Sequence, residues 1–363
     1  MKLEVRAMEL SKYDLATYMI PYWSGCTVYH EAVMLLEDAD GTLPDVPLLY
    51  RAEKILSVCS SDLQTVYLAG RDYILADGKL HIPEGSALPR MKHDDYYPKE
   101  PTQTSKRLNE AYGDGYIFFS ESAIMHELQI AVTYTHAEAF AGPVPVCKSH
   151  LLPKTMRILQ RGGELKFCIF GDSICVGGNS TAFLEAPPYA PTWWQMVADK
   201  LAQEYPASTI RLANHSLGGK RSDWGVEEAA ARVGYGPDLC IIGFGMNDGS
   251  RKIPPEEFGE NIRTIMAAAR IGNPDCEFVL IAPILPNAQV GNFMGTQAQF
   301  LPVLQTLEDQ GVAVADMTSF HQYLLTRKRY FDMSGNNVNH LNDFLARAYA
   351  QVIWQTVFGY TMG

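Results

Sequence analysis

Up to about residue 150 apolar residues recur at every second position or in short β-branched runs, whereas beyond it uninterrupted apolar runs alternate with stretches of helical period. The early runs are HEAVMLLED (30–38), VYLAGRDYILADGKLHI (66–82), YIFFSES (116–122) and LQIAVTYTH (128–136). Runs of this kind separated by turn residues are the mark of strands. Within the second run, Asp77 and Gly78 stand between apolar flanks, and an Asp-Gly pair tolerates the positive φ of a tight hairpin. The pattern predicts a β-sandwich or jelly-roll-like domain over residues 1–150. Pro89–Arg107 is polar, proline-bearing and without period, and reads as a long surface loop.

Three prolines in GPVPVCKSHLLPKT (142–155) interrupt any regular element, which places the domain join near residue 150. Five apolar runs follow: LKFCIF (165–170), TIRLAN (209–214), LCIIGF (239–244), FVLIAP (278–283) and VAVADM (312–317). Between and after them, WWQMVADKLAQEY, FGENIRTIMAAAR and DFLARAYAQVIWQTVF carry helix-forming residues at 3.6-residue spacing. Apolar strands flanked by amphipathic helices imply a parallel sheet covered on both faces, so residues 151–363 are expected to form a doubly wound, flavodoxin-like α/β domain.

Composition narrows the partners. A chain of 363 residues exceeds one ordinary core, which agrees with two domains. The net charge of −11 opposes nucleic acid and anionic lipid, and no apolar stretch approaches the ~18 residues of a membrane span. The start, MKLEVRAMELSKYD, has no apolar signal-peptide core, so the expected location is the cytoplasm, or outside the cell if a leader was removed before residue 1. The seven cysteines are odd in number, widely spaced and without a CxxC pair, and read as buried thiols. Neither a metal nor an organic cofactor is implied.

Ligands of open parallel sheets bind beyond the carboxyl ends of the strands. There the chain carries GDSICVGG (171–178), ANHSLGGKRSD (213–223) and GFGMNDGS (243–250), with NNVNHLND (336–343) before the last helix. In order and residue type these four segments resemble the four blocks of the SGNH (GDSL) hydrolase family, and the resemblance spans roughly residues 164–358. It implies Ser173 as nucleophile, Gly219 and Asn247 as oxyanion donors, and His340 as base. Gly219 follows Asn214 at the family's N-x-x-x-x-G spacing and Gly218 does not. Ester cleavage independently demands such a set: a hydroxyl with a base in reach, and preformed donors where negative charge develops. Ser173 adds its own N–H to those of Gly219 and the Asn247 amide.

One position departs from the family, which commonly has Asp three residues before the histidine; here that residue is Asn337. Asn337 is a possible orienter of His340 through its amide oxygen, with a backbone carbonyl the leading alternative. Asp332 and Asp343 lie close in sequence, but Asp343 opens the last helix and reads as a first-turn carboxylate. Asp172 reads as structural, His215 as a packed or solvent-facing side chain, Cys175 as an inert thiol, and Trp193 and Trp194 as core residues. Tyr22, Trp23, Tyr96 and Tyr97 are aromatic residues of the first domain that would stack on sugar rings if they do not fill its core.

The layout, a β-rich accessory domain before an SGNH domain, resembles bacterial carbohydrate deacetylases. The expected function is hydrolysis of an acyl ester, foremost an O-acetyl group on a carbohydrate, with a small molecule or oligosaccharide as substrate. A lipase or thioesterase on the same scaffold, and a non-catalytic glycan-binding protein, are the competing readings.

Overall fold

A computed structural model describes residues 14–360. The opening residues read above for a leader lie almost wholly outside that range. In the strand-rich part, β1 (Thr27–Leu36), β2 (Lys54–Ser60), β5 (Arg90–Met91) and β8 (Gln129–Thr135) form a sheet ordered β2-β8-β1-β5. Its β2/β8 and β8/β1 pairs are antiparallel and β1/β5 is parallel. Two ribbons accompany it: β3 (Ile74–Ala76) with β4 (Lys79–His81), and β6 (Ser105–Arg107) with β7 (Tyr116–Phe118). Short helices α1 (Leu15–Tyr18), α2 (His93–Tyr96) and α3 (Ile124–Glu127) lie among the strands. The predicted hairpin is there, with Asp77 at φ 49° and Gly78 at φ 75° turning β3 into β4.

Two features differ from the sequence pattern. Strand β2 was not anticipated, because an irregularity between Ile55 and Ser57 shifts its pairing with β8 and buries Ser57, Val58 and Cys59 in succession. A bulge of this kind erases the period of two on which strand recognition rests. The polar stretch read as a single loop, Pro89–Arg107, holds β5, α2 and β6, elements of two to four residues that are too short to show a period.

Each of the five later apolar runs is a strand: β9 (Glu164–Gly171), β10 (Thr209–Asn214), β11 (Leu239–Gly243), β12 (Glu277–Ala282) and β13 (Val312–Asp316). All neighbours pair parallel in the order β10-β9-β11-β12-β13, the doubly wound, flavodoxin-like arrangement expected. The helices of this part are α4 (Pro153–Gln160), α5 (Ser173–Val176), α6 (Trp193–Glu204), α7 (Ser222–Arg232), α8 (Met246–Ser250), α9 (Pro255–Gly272), α10 (Phe300–Gln305), α11 (Met317–Leu325) and α12 (Asp343–Val357). Successive strand residues face opposite ways, so the sheet feeds two cores. Cys168, Phe170, Ile242 and Leu280 pack with Ile262 and Ile265 of α9, whereas Phe167, Ile169, Ile241 and Val279 pack with α6 and α12.

That second core is shared with the strand-rich part, because Val33, Val58, Ile130 and Val132 belong to the same apolar cluster as Phe167 and Trp193. Helix α12 lies within it, and from Phe344 to Val357 every residue but Gln355 is buried. A helix buried on all sides needs partners on all sides, and α12 finds them in the parallel sheet and the strand-rich sheet. Polar links cross the same join. Arg347 donates to Tyr29 O (2.6 Å) with its guanidinium over the Tyr18 ring, and the Asp332 carboxylate accepts from Met34 N (2.8 Å).

Lys328 and Glu31 form an ion pair across this join with both side chains fully buried, and Glu31 also accepts from Leu49 N (2.8 Å) and Tyr134 Oη (2.7 Å). Removing one partner strands the other charge in a dry interior, at a cost of about 3–5 kcal/mol. Lys328→Met is therefore expected to lower the urea-unfolding midpoint by an amount equivalent to that cost. The double variant Glu31→Gln/Lys328→Met should recover part of the loss, which equilibrium unfolding followed by circular dichroism checks. Among the described residues no helix is long and apolar enough to cross a membrane.

Candidate active site

The four segments singled out in the sequence meet at the carboxyl ends of β9, β10 and β11. Ser173 is the first residue of α5, the single turn that leaves β9. Asp172 caps this turn, its carboxylate accepting from Ile174 N (2.9 Å), which supports the structural reading. Ser173 itself is only half-buried, so its hydroxyl is reachable from solvent.

His340 arrives on the loop before α12, and its Nε2 lies 2.8 Å from Ser173 Oγ. Its Nδ1 faces the Asn179 side-chain oxygen at 2.6 Å and a Glu121 carboxylate oxygen at 3.2 Å. The Asn179 amide nitrogen donates to Glu121 O (3.2 Å) and Gly335 O (3.4 Å), which leaves the amide oxygen to face the histidine. An amide oxygen only accepts, so the proton sits on Nδ1 and the lone pair of Nε2 points at the serine hydroxyl. Asn179 holds φ at 63°, a left-handed conformation that asparagine tolerates. Beside it the backbone of Gly178 passes so close that a β-carbon there would stand 3.2 Å from Ser173 O and 3.3 Å from His340 Nδ1.

The loop after β10 is tied to the Ser173 turn by Asn214, whose amide donates to Cys175 O (2.8 Å). A β-carbon on Gly218 would stand 3.8 Å from Ser173 Cβ, and Gly219 follows at φ 73°. No atom lies within 4 Å of where a Gly219 β-carbon would project, so glycine serves the left-handed turn here, not a close approach. Asn247, in the first turn of α8, donates one amide hydrogen to Lys220 O (2.9 Å) and retains a second. Gly219 and Asn247 line one cleft of about 830 Å³ together with Lys220, Arg221, Trp224 and Arg251.

Two buried carboxyls lie behind the site. Burial pushes Asp172 up to about 7, assisted by nearby Asp248 and opposed by backbone N–H donors. Asp248 is likewise raised by burial, against hydrogen bonds from Ser222. Glu121 behaves oppositely: partial burial raises its carboxyl, but hydrogen bonds from His340 and Asn336 and the charge of His340 together outweigh this and hold it below the usual range. Among the described residues there is no group of three His, Cys, Asp or Glu side chains arranged to hold a metal.

The model of the GDSL-like lipase/acylhydrolase family matches residues 169–348, a stretch containing Ser173, Gly219, Asn247 and His340. Residues 169–348 are thus a GDSL-like lipase/acylhydrolase domain. No curated protein matches the chain. Among solved structures it is similar to a two-domain esterase active on acetylated mannans, co-crystallised with mannopentaose, at 20% identity and TM-score 0.47; the alignment covers 58% of this chain and 54% of that one. A second is a substituted form of an acetyl xylan esterase from Geobacillus stearothermophilus, at 16% identity and TM-score 0.45, covering 55% of this chain and 97% of that one. The chain thus spans about half the length of the two-domain esterase.

Within the GDSL-family domain the position that departs from the family pattern is resolved differently from expectation. Asn337 does not reach His340. Its amide nitrogen donates to Phe118 O (2.8 Å), its side chain exchanges hydrogen bonds with Tyr96 Oη, and at φ 65° it serves the loop's turn. Nor does a backbone carbonyl face the imidazole Nδ1: the side chains of Asn179 and Glu121 do. Both were missed. Asn179 was legible in principle, lying six residues beyond Ser173 in GDSICVGGNS, but an Asn after two glycines reads as a turn. Glu121 sits in YIFFSES, a strand and turn of the other part, and no local pattern distinguishes it.

The remaining expectations can be placed. Cys175 is buried, donates to Gly243 O (3.3 Å), and has its thiol pushed far up by burial, so it is not poised to react. His215 packs edge-on against Tyr235. Trp193 is fully buried, and Trp194 is partly buried against the same core. Asp343 stands in the first turn of α12 as read, and accepts from Thr181 N (2.9 Å) and Oγ1 (2.7 Å). The aromatic residues considered for sugar stacking are internal: Tyr22 stacks on Phe344, Trp23 packs edge-on against Phe320, Tyr96 is fully buried, and half-buried Tyr97 packs edge-on against Tyr96.

Proposed function

We propose that the protein is a serine esterase that removes small acyl groups, foremost acetyl, from a hydroxyl of a carbohydrate. The observation that carries the reading is the Ser173–His340 contact of 2.8 Å, with the far nitrogen of the imidazole held by acceptors. Oγ of Ser173 attacks the ester carbonyl carbon as its proton passes to Nε2 of His340. The oxyanion that forms takes hydrogen bonds from the N–H groups of Ser173 and Gly219 and from the free amide hydrogen of Asn247. Collapse expels the sugar hydroxyl, protonated by His340, and leaves an acyl ester on Ser173. Water, deprotonated by the same imidazole, then releases the acid and restores the serine.

The cleft beside Gly219 and Asn247 favours a polar leaving group, since Arg251 can donate hydrogen bonds there and Glu227 can accept them, as sugar hydroxyls require. An acyl channel for a lipase would be mainly apolar. The non-catalytic reading drew on the missing aspartate before His340, and Asn179 and Glu121 remove that ground.

The test compares p-nitrophenyl acetate with the octanoate, followed by acetate release from acetylated oligosaccharides. Preference for acetyl esters is expected; preference for octanoate would turn the assignment to a lipase, and no turnover of either would refute it. Asn247→Ala should lower kcat for the acetate about 10²- to 10³-fold with KM little changed, because the lost donor acts on the oxyanion and not on the ground state.

A further inference from the structure

We propose that Glu121, carried by the strand-rich part of the chain, is the charged positioning residue for His340, so that the catalytic centre is completed across the join between the two parts. This rests on the reading of Ser173 and His340 as nucleophile and base. Asn179 alone fixes which nitrogen bears the proton, but a neutral amide offers the imidazolium only a dipole. A carboxylate 3.2 Å from Nδ1 offers a full charge, the part that the aspartate before the histidine plays in the family pattern and that Asn337 cannot play.

The segment around Glu121 is gripped on both sides of the site. The second oxygen of Glu121 accepts from the Asn336 amide (3.2 Å), and its backbone carbonyl accepts from Asn179 (3.2 Å). Upstream, Phe118 O accepts from Asn337 (2.8 Å); downstream, His126 Nε2 donates to Asn179 O (2.7 Å). One stretch of the strand-rich part therefore touches both the loop that follows the nucleophile and the loop that carries the base. Its carboxyl, held below the usual range, is anionic at neutral pH. Other titratable groups nearby are Lys106, which faces Glu121, His126 behind Asn179, and Asp343 beyond Thr181.

Glu121 takes no proton in this scheme. The Nδ1 hydrogen stays on the ring, and protons pass only among Ser173 Oγ, Nε2, the leaving alcohol and water. The carboxylate favours the imidazolium of the transition state, and for the same reason favours protonation of the free enzyme's base. Its removal should thus lower the plateau of kcat/KM while moving the acidic limb of the pH profile to lower pH. A role confined to structure would lower the plateau without that displacement.

The experiment measures kcat and KM for p-nitrophenyl acetate from pH 4 to 9 in the 363-residue chain and in Glu121→Gln, Glu121→Ala and Ser173→Ala. For Glu121→Gln the plateau should fall about tenfold with the limb displaced by roughly 0.5–1 pH unit, the low end for a neighbouring opposite charge because Glu121 is more than half exposed. An unchanged plateau and limb, or a fall with an unmoved limb, would overturn the proposal. If the unsubstituted chain shows no turnover that Ser173→Ala abolishes, the esterase reading itself fails. Glu121 is then judged by NMR titration of the His340 ring, which should protonate at lower pH in Glu121→Gln, and an identical titration would overturn it.

Discussion

Ser173→Ala is expected to reduce kcat for p-nitrophenyl acetate by a factor on the order of 10⁶, and His340→Ala by a similar factor. The two groups lie 2.8 Å apart and, in the proposed mechanism, act as one device, since the hydroxyl attacks only as the imidazole takes its proton. The double variant should consequently be no worse than either single one, an extreme non-additivity that distinguishes a nucleophile and base from two independent contributors. A residual acceleration of ~10³ over water is expected from the oxyanion donors. Stopped assays with purified single and double variants, with unfolding midpoints to show that each is folded, supply the measurement. Retention of more than a tenth of the activity in Ser173→Ala would remove the serine from the mechanism.

The second large effect is expected at Asn179. Replacement by glycine keeps the left-handed backbone at φ 63° and deletes the amide that meets Nδ1, together with its bonds to Glu121 O and Gly335 O. The histidine then loses the contact that selects its tautomer, and in serine proteases an orienter that favours the wrong tautomer costs about 10⁴ in rate. Because Glu121 still faces Nδ1, a loss nearer 10³ is expected in Asn179→Gly, chiefly in kcat. Combination with Glu121→Gln should reduce the rate further than either change alone. Near-wild-type kcat in Asn179→Gly would show that the asparagine has no part in holding the base.

The structure divides into what local pattern can reveal and what it cannot. Strands β9 to β13 were legible because each is a continuous apolar run covered on both faces, and the alternation that splits them between two cores needs no knowledge of the partners. The hairpin at Asp77 and Gly78 was legible because its turn chemistry is local. Strand β2 escaped because a bulge set by its neighbour β8 spoils its period, a fact of pairing and not of the strand's own residues. The aromatic residues Tyr22 and Trp23 looked available for ligands until packing against Phe344 and Phe320 was seen. Helix α12 shows the same limit, its burial on every side reflecting two sheets that lie far apart in sequence.

The amino-acid sequence by itself determined the α/β architecture and the identities of Ser173, Gly219, Asn247 and His340 as the chemical groups to watch. Strand ends and their loops are short contiguous segments, and the chemistry demands particular side chains there. Only the tertiary structure decided what faces the His340 ring. An imidazole can be oriented by any acceptor that reaches Nδ1, and the fold brings Asn179 from the nucleophile's loop and Glu121 from the strand-rich part, while Asn337 is spent on Tyr96 and Phe118. Spacing along the chain carries no information about such a contact, because it depends on how two sheets pack around one helix.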